Sequence, residues 1–350
     1  MERPSLNPSV HLEAGAHGPP PPRPGLFRRA VATLGRLVRI AFTPIPLLTR
    51  PHEAEEHSPL VRFARGLVYR LAAVPFVLAV IVGTLVYTST HPARVQMLAD
   101  PSSLGLYFEK VKVVATDGVV SEGWLVPVVD ARRVLEQKDE ILTTRHPAVV
   151  LVHDHASSRQ ELLPYLRPFH DAGIVTLTVA VRGGSTDDPR GRTFGLRESL
   201  DAGAAVNVLR SRSMTDPERV GVVGLGSGAT AALLAAQLDT RIAVVAAIDP
   251  ARDAAELVAP IGPTQGYLSF LRPLVRFAFE TVFDVDSHDA NLARLSTALK
   301  DRKVLYVLSD EHTTRATNHF KTVTDFVHAA LHPPTDPPVD PPTGEAALPP

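Results

Sequence analysis

The sequence predicts an α/β protein: a doubly wound, mostly parallel sheet preceded by one transmembrane helix. Three observations carry that reading. Short, continuously apolar runs at residues 148–152, 174–179, 219–223, 243–248 and 304–308 alternate with helical stretches, the pattern of parallel strands covered on both faces. Residues 71–87, LAAVPFVLAVIVGTLVY, carry no charge. Residues 219–236, RVGVVGLGSGATAALLAA, pass from a β-branched run through a glycine turn into an Ala/Leu helix.

Composition narrows the function classes. The 350 residues suffice for one medium domain plus extensions. A net charge of −1 argues against nucleic acid as a partner. The absence of cysteine excludes disulfides, thiolate catalysis and Cys-ligated metals. It is compatible with either side of a membrane.

Residues 1–26 are rich in Pro, Gly and His, a composition expected to form a disordered tail. Residues 27–60 hold a basic amphipathic helix and a linker. Phe27, Val31, Leu34, Val38 and Phe42 share one helical face opposite Arg28, Arg29, Arg36 and Arg39, which suits an anionic membrane surface; packing on protein is the plainer alternative. Pro44, Pro46 and Pro51 end that helix. Residues 67–90 are expected to span a bilayer, for which about 20 apolar residues suffice, and Pro75 near one end is tolerated. With roughly seventy residues before it, the run is not expected to be a cleavable signal peptide. Arg62, Arg65 and Arg70 crowd its N-terminal flank. The positive-inside rule then leaves the N-terminus cytoplasmic and the domain at residues 105–331 outside an inner or cell membrane.

Within that domain, residues 108–115 and 120–128 read as strands around Asp117-Gly118, a dipeptide that favours a hairpin turn. Residues 130–142 form a polar helical insert. Helices are expected at 159–172, 196–210, after the glycine turn, at 289–300 and at about 313–331. Residues 332–350 are a second proline-rich tail.

The glycine turn admits two chemistries. In a G-x-S-x-G elbow a strained strand-to-helix turn presents a nucleophile; here Gly226 takes the middle position and Ser227 comes one residue later. In a G-x-G-x-x-G/A turn, bare backbone admits a phosphate; Gly224, Gly226 and Ala229 match that spacing, and Gly224-Gly226-Gly228 with Asp249 at the end of the next strand would then serve a nucleotide- or adenosylmethionine-binding, Rossmann-like unit.

Residues 107–248 resemble the α/β-hydrolase superfamily, particularly its dienelactone-hydrolase and serine-peptidase-like branches. Asp117-Gly118 with residues 123–127 (GWLVP) is similar to the opening antiparallel strands. AVVLVHDHASSRQELL resembles the strand that ends in His-Gly and supplies half of an oxyanion hole. GIVTLTVAVRGGSTDD resembles the strand followed by RGxGxS. FGLRESLDAGAAVNVL matches a helix motif through Gly195, Glu198 and Asp201, and DPERVGVVGLGSGA falls where the elbow belongs. The resemblance implies a sheet of α/β-hydrolase type and ester, lactone or peptide hydrolysis as the ancestral chemistry.

The departures from the pattern decide the expected function. Gly226 removes the only atom that could attack, while relieving the strain of the turn. Ser227 reads as a polar residue opening a helix, or as an off-register nucleophile of a still active serine hydrolase. Asp154 replaces the glycine of the His-Gly pair, which leaves the backbone N–H groups of His155 and Ser227 as oxyanion donors. For acid and base, residues 304–308 are read as the seventh strand, making Asp310 or Glu311 the triad acid. In the alternative register they form an eighth strand and His312 is the base. His319 and His328 fall on the last helix as solvated residues. Neither register completes a triad, and triad residues act as a unit. His153 and His155 have the i, i+2 spacing of metal ligands but no third partner, so a loop role is expected. Residues 267–283 sit where the family inserts a cap. The expectation is a membrane-anchored, non-catalytic binding or scaffolding module. No cofactor and no metal are expected, and its partners are the membrane and a small molecule or protein.

Overall fold

A computed structural model describes residues 59–93, 95–128, 144–183, 190–253, 258, 266–308 and 318–332. The tails, the amphipathic helix at 27–42, the insert at 130–142, and Asp310, Glu311 and His312 lie outside the described residues. The chain divides into two units at Val80–Ile81, and the features from Ile81 onward belong to the second.

Helix α1 runs Pro59–Thr90. Its segment Gly66–Thr90, 25 residues, is long and apolar enough to cross a membrane. At 1.5 Å per residue it reaches about 37 Å, more than the ~30 Å hydrocarbon core.

Among the described residues, seven strands form one sheet in the order β1-β2-β4-β3-β5-β6-β7. Strands β1 (Glu109–Val114) and β2 (Val120–Val126) pair antiparallel, and Gly118, at φ 79°, supplies the left-handed residue their turn requires. Strand β2 pairs antiparallel with β4 (Val175–Val179). The remaining pairs, through β3 (His146–Val152), β5 (Thr215–Leu225), β6 (Val244–Ile248) and β7 (Val304–Val307), are parallel. Strands β4 and β6 are buried at every residue, and β3 and β5 over 147–152 and 220–224, because helices cover both faces. Around Leu151 and Val223, helices α2 (Leu163–Asp171) and α7 (Asn318–Leu331) bury Leu166, Phe169, Val323 and Val327. Helices α3 (Glu198–Arg210) and α4 (Ser227–Leu238) pack against each other and against β5. The small residues of α4 let it sit flush on the sheet, and Ser227 through Ala236 are all buried. In the chain, helices α5 (Arg272–Phe283) and α6 (Leu292–Ala298) fall between β6 and β7.

This strand order separates the two chemistries of the glycine turn. A dinucleotide-binding sheet places its glycine strand first and reads 3-2-1-4-5-6. Here that strand is the fifth, between β3 and β6, with an antiparallel hairpin at the far edge. The Gly224-Gly226-Gly228 and Asp249 nucleotide reading is therefore corrected: these glycines serve packing. A β-carbon on Gly228 would lie 2.5 Å from Val152 O, and one on Gly224 would lie 2.1 Å from Gly228 O.

The motifs at 117–118, 182–183 and 198–201 meet in space. The buried Arg182 donates to Asp117 at 2.6 Å and to both Asp201 oxygens at 2.9 and 3.1 Å, so one guanidinium ties the β1–β2 turn to the loop after β4 and to α3. Glu198 accepts from the Thr193 and Gly195 N–H groups at 2.6 and 2.9 Å and from the Thr193 hydroxyl at 2.7 Å, closing the loop that enters α3.

Candidate active site at the strand-to-helix bend

Strand β5 ends at Leu225, and α4 begins two residues later. Gly226 makes the corner with φ 57° and ψ −119°, a conformation that costs an L-residue strain. Its N–H donates to Ile248 O at 2.9 Å, pinning the corner to the end of β6. At the C-terminal edge of a mostly parallel sheet, this is where ligands of open α/β folds bind.

The neighbouring strand supplies the other half of the site. After β3, His153 is almost fully buried. Its Nδ1–H donates to Asp154 O at 2.8 Å, and its Nε2 accepts from the Val181 N–H at 3.4 Å. Both ring nitrogens are thus used by backbone, and burial pushes the imidazole down to about 4, so it stays neutral. His153 thus braces this loop; among the described residues no group of three or more His, Asp or Glu is placed to hold a metal ion.

Asp154, so placed, points at the bend. Its Oδ1 accepts the Ser227 N–H at 2.8 Å, on the first residue of α4, where unpartnered N–H groups and the helix dipole favour an anion. A β-carbon on Gly226 would lie 2.2 Å from that oxygen and 2.4 Å from the carboxyl carbon. The volume a side chain at 226 would need is filled by the Asp154 carboxylate. The Ser227 N–H, expected as an oxyanion donor, is already engaged. The Ser227 side chain is buried at the head of α4, and among the described residues no imidazole or carboxylate pairs with its hydroxyl. His155, expected as the second donor, is held through its ring and its carbonyl: Nε2–H donates to Ser89 O at 2.8 Å, the ring stacks on Phe194 at 4.3 Å, and the carbonyl accepts from Arg192. Burial lowers the affinity of this imidazole for a proton as well.

A cavity of about 240 Å³ opens beside the bend. Asp154, Glu161 and Asp249 line it with carboxyl groups, and Tyr165 and Phe320, edge to face at 4.6 Å, form an aromatic wall. Asp249, at the end of β6, adopts φ 50°. His319 also lines the cavity, half-buried, which corrects its expectation as a solvated residue; His328 is exposed as expected. The sequence did not single out Glu161, and it offered Asp249 only as the acid of a nucleotide-binding turn, not as a wall of this cavity. The one available signal was Asp154 in place of a glycine. Strand β7 pairs with β6 and is the seventh strand among the described residues; Asp310, Glu311 and His312 lie outside them.

The sheet order, the hairpin edge, the flanking helices and the strand-to-helix corner define an α/β-hydrolase fold. A solved structure of similar fold is the Pyrococcus furiosus esterase Pf2001, with TM-score 0.50 and 17% identity, covering 69% of this chain and 100% of the esterase. Among curated proteins, the chain is similar to the thiohydrolase apmlB of Arthrinium phaeospermum, 31% identical over 165 residues, or 46% of this chain and 48% of that protein. It is also similar to the polyketide transferase ATR5 of Stachybotrys chlorohalonatus, 30% identical over 148 residues, 41% and 45% of the two chains. The chain thus spans about half the length of the curated relatives it matches. No protein-family model matches it.

Proposed function

We propose that this chain is a membrane-anchored protein of α/β-hydrolase fold that has lost serine chemistry and uses the cavity at its sheet edge to bind a small ligand. Gly226 stands at the nucleophile position, and one observation carries the reading: the Asp154 carboxylate occupies the space of the missing side chain and sits on the Ser227 N–H. An oxyanion hole stabilises negative charge that develops on a substrate. With a carboxylate already seated there, a second negative charge is repelled rather than stabilised. The surrounding acids and the aromatic wall favour a ligand with a positive charge and an apolar body. Helix α1 supplies the anchor, and the arginines preceding its apolar core support a cytoplasmic N-terminus with the domain on the opposite side.

The test is activity-based labelling of the full chain. A fluorophosphonate probe is expected to leave the protein unmodified, and p-nitrophenyl esters and acyl thioesters to hydrolyse no faster than in buffer. Covalent labelling mapped to Ser227 would overturn the proposal in favour of an off-register serine hydrolase.

A further inference from the structure

A helix leaves its last carbonyls without partners in the helix. At the C-terminal end of α1 the domain supplies two of them. Ser89 O accepts the His155 Nε2–H at 2.8 Å, and Thr90 O accepts the Arg192 backbone N–H at 2.8 Å. The buried Arg192 guanidinium then turns to the loop after β3, donating to His155 O and, at 3.2 Å, to Ser157 O. Val86 and Thr90, on the same turns of the helix, are buried. Residues 155–157 are therefore gripped from both sides, and the residue before them is Asp154. His155 commits its only ring N–H to Ser89, leaving Nδ1 buried without a partner, so no second bond compensates if the helix end withdraws.

We propose that the last turn of α1 is a latch that keeps Asp154 in its seat, so that displacement of the helix end frees its carboxylate from the Ser227 N–H and reshapes the acidic wall of the cavity. The proposal rests on the reading of Asp154 as a plug. Consecutive Cα atoms are about 3.8 Å apart, so His155 cannot move far without carrying Asp154 with it. A shift of about 1 Å takes a 2.8 Å hydrogen bond beyond its useful range. Movement of the helix end would thereby control the shape and charge of the cavity lining.

Amide hydrogen exchange at Ser227, in the full chain reconstituted in lipid nanodiscs, reads the plug directly, because that N–H is bonded to Asp154. Asp154→Ala is expected to set the fast limit. His155→Phe keeps a ring for the Phe194 stack but has no N–H. It is expected to speed exchange at Ser227 about tenfold, the effect of one hydrogen bond on a local opening, with Val222 and Ala246 unchanged. His155→Gln, which restores a donor, is expected to return within about twofold of the parent. Val86→Ala, which loosens the helix end without touching the loop, is expected to speed Ser227 severalfold and serves if His155→Phe fails to fold. Parental exchange in His155→Phe or Val86→Ala alongside a fast Asp154→Ala would overturn the latch while leaving the plug standing. Slow exchange in Asp154→Ala would overturn the plug itself.

Discussion

Asp154 and Ser227, 73 positions apart in the chain, are joined by a hydrogen bond of 2.8 Å from the Ser227 N–H to Oδ1. The bond seats a carboxyl group on the first turn of α4. It also explains why position 226 has no side chain: the carboxylate occupies the space one would need.

The crowding at 226 is testable by a double-mutant cycle. Gly226→Ala must hold an L-residue at positive φ and push its β-carbon into Asp154, costs of about 1–2 and 1–3 kcal/mol. Asp154→Gly alone loses a charge-assisted hydrogen bond, about 1–3 kcal/mol. Because the second change removes the clash caused by the first, the pair is expected to be more stable than the sum of the singles by at least about 1 kcal/mol. Urea midpoints of the four proteins give the answer; strict additivity would mean that the two positions do not touch.

His153 predicts an acid-sensitive loop. Its folded value of about 4 lies below the ordinary 6.5, so on acidification the unfolded chain takes up the proton first. The stability contributed by the neutral, buried ring is complete above pH 6.5 and is lost as pH falls from 6.5 to 4, by at most roughly 3.4 kcal/mol. His153→Asn is expected to be less stable at pH 7.5 but to lose stability less steeply across that window, by up to one proton in the slope of unfolding free energy against pH. Parallel curves for the two proteins would contradict the assignment.

The ion cluster that joins β1–β2, the loop after β4 and α3 is expected to respond asymmetrically. Asp201→Ala leaves the Arg182 guanidinium buried with only Asp117, and a cost of about 3–5 kcal/mol is expected from thermal or denaturant unfolding. Replacing both partners, Arg182→Met with Asp201→Leu, removes the uncompensated charge and is expected to cost less than the single change.

Membrane anchoring predicts that the full chain stays with membranes through alkaline carbonate extraction. An arginine at Val80, within the span Gly66–Thr90, opposes insertion by about 2.5–3.5 kcal/mol and is expected to move a measurable fraction to the supernatant. A parent protein found wholly in the supernatant would remove the anchor from the proposal.

Much of the fold was legible in local pattern. The apolar runs at 148–152, 174–179, 243–248 and 304–308 fall on β3, β4, β6 and β7 to within about two residues at either end, and the Asp117-Gly118 turn joins β1 to β2. Strand β5 extends beyond its expected 219–223 at both ends, to Thr215–Leu225, because pairing with β3 and β6 recruits residues that have no strand pattern of their own. The helix expected at 159–172 divides into a 3₁₀ turn, Arg159–Leu162, and α2, where Pro164 opens the regular helix at a position that needs no N–H.

What the sequence determined by itself is whatever is written in neighbouring residues: strand alternation, the uncharged span and the glycine corner. Tertiary structure alone decided what fills that corner. Asp154 reaches Ser227 only because β3 and β5 lie side by side in the sheet while β4, between them in the chain, pairs on the far side of β3. His155 reaches Ser89, 66 positions earlier, only because the end of α1 packs against the loop after β3. Contacts between distant positions follow from strand order and helix docking, which sum over the whole core, and no stretch of this sequence carries them.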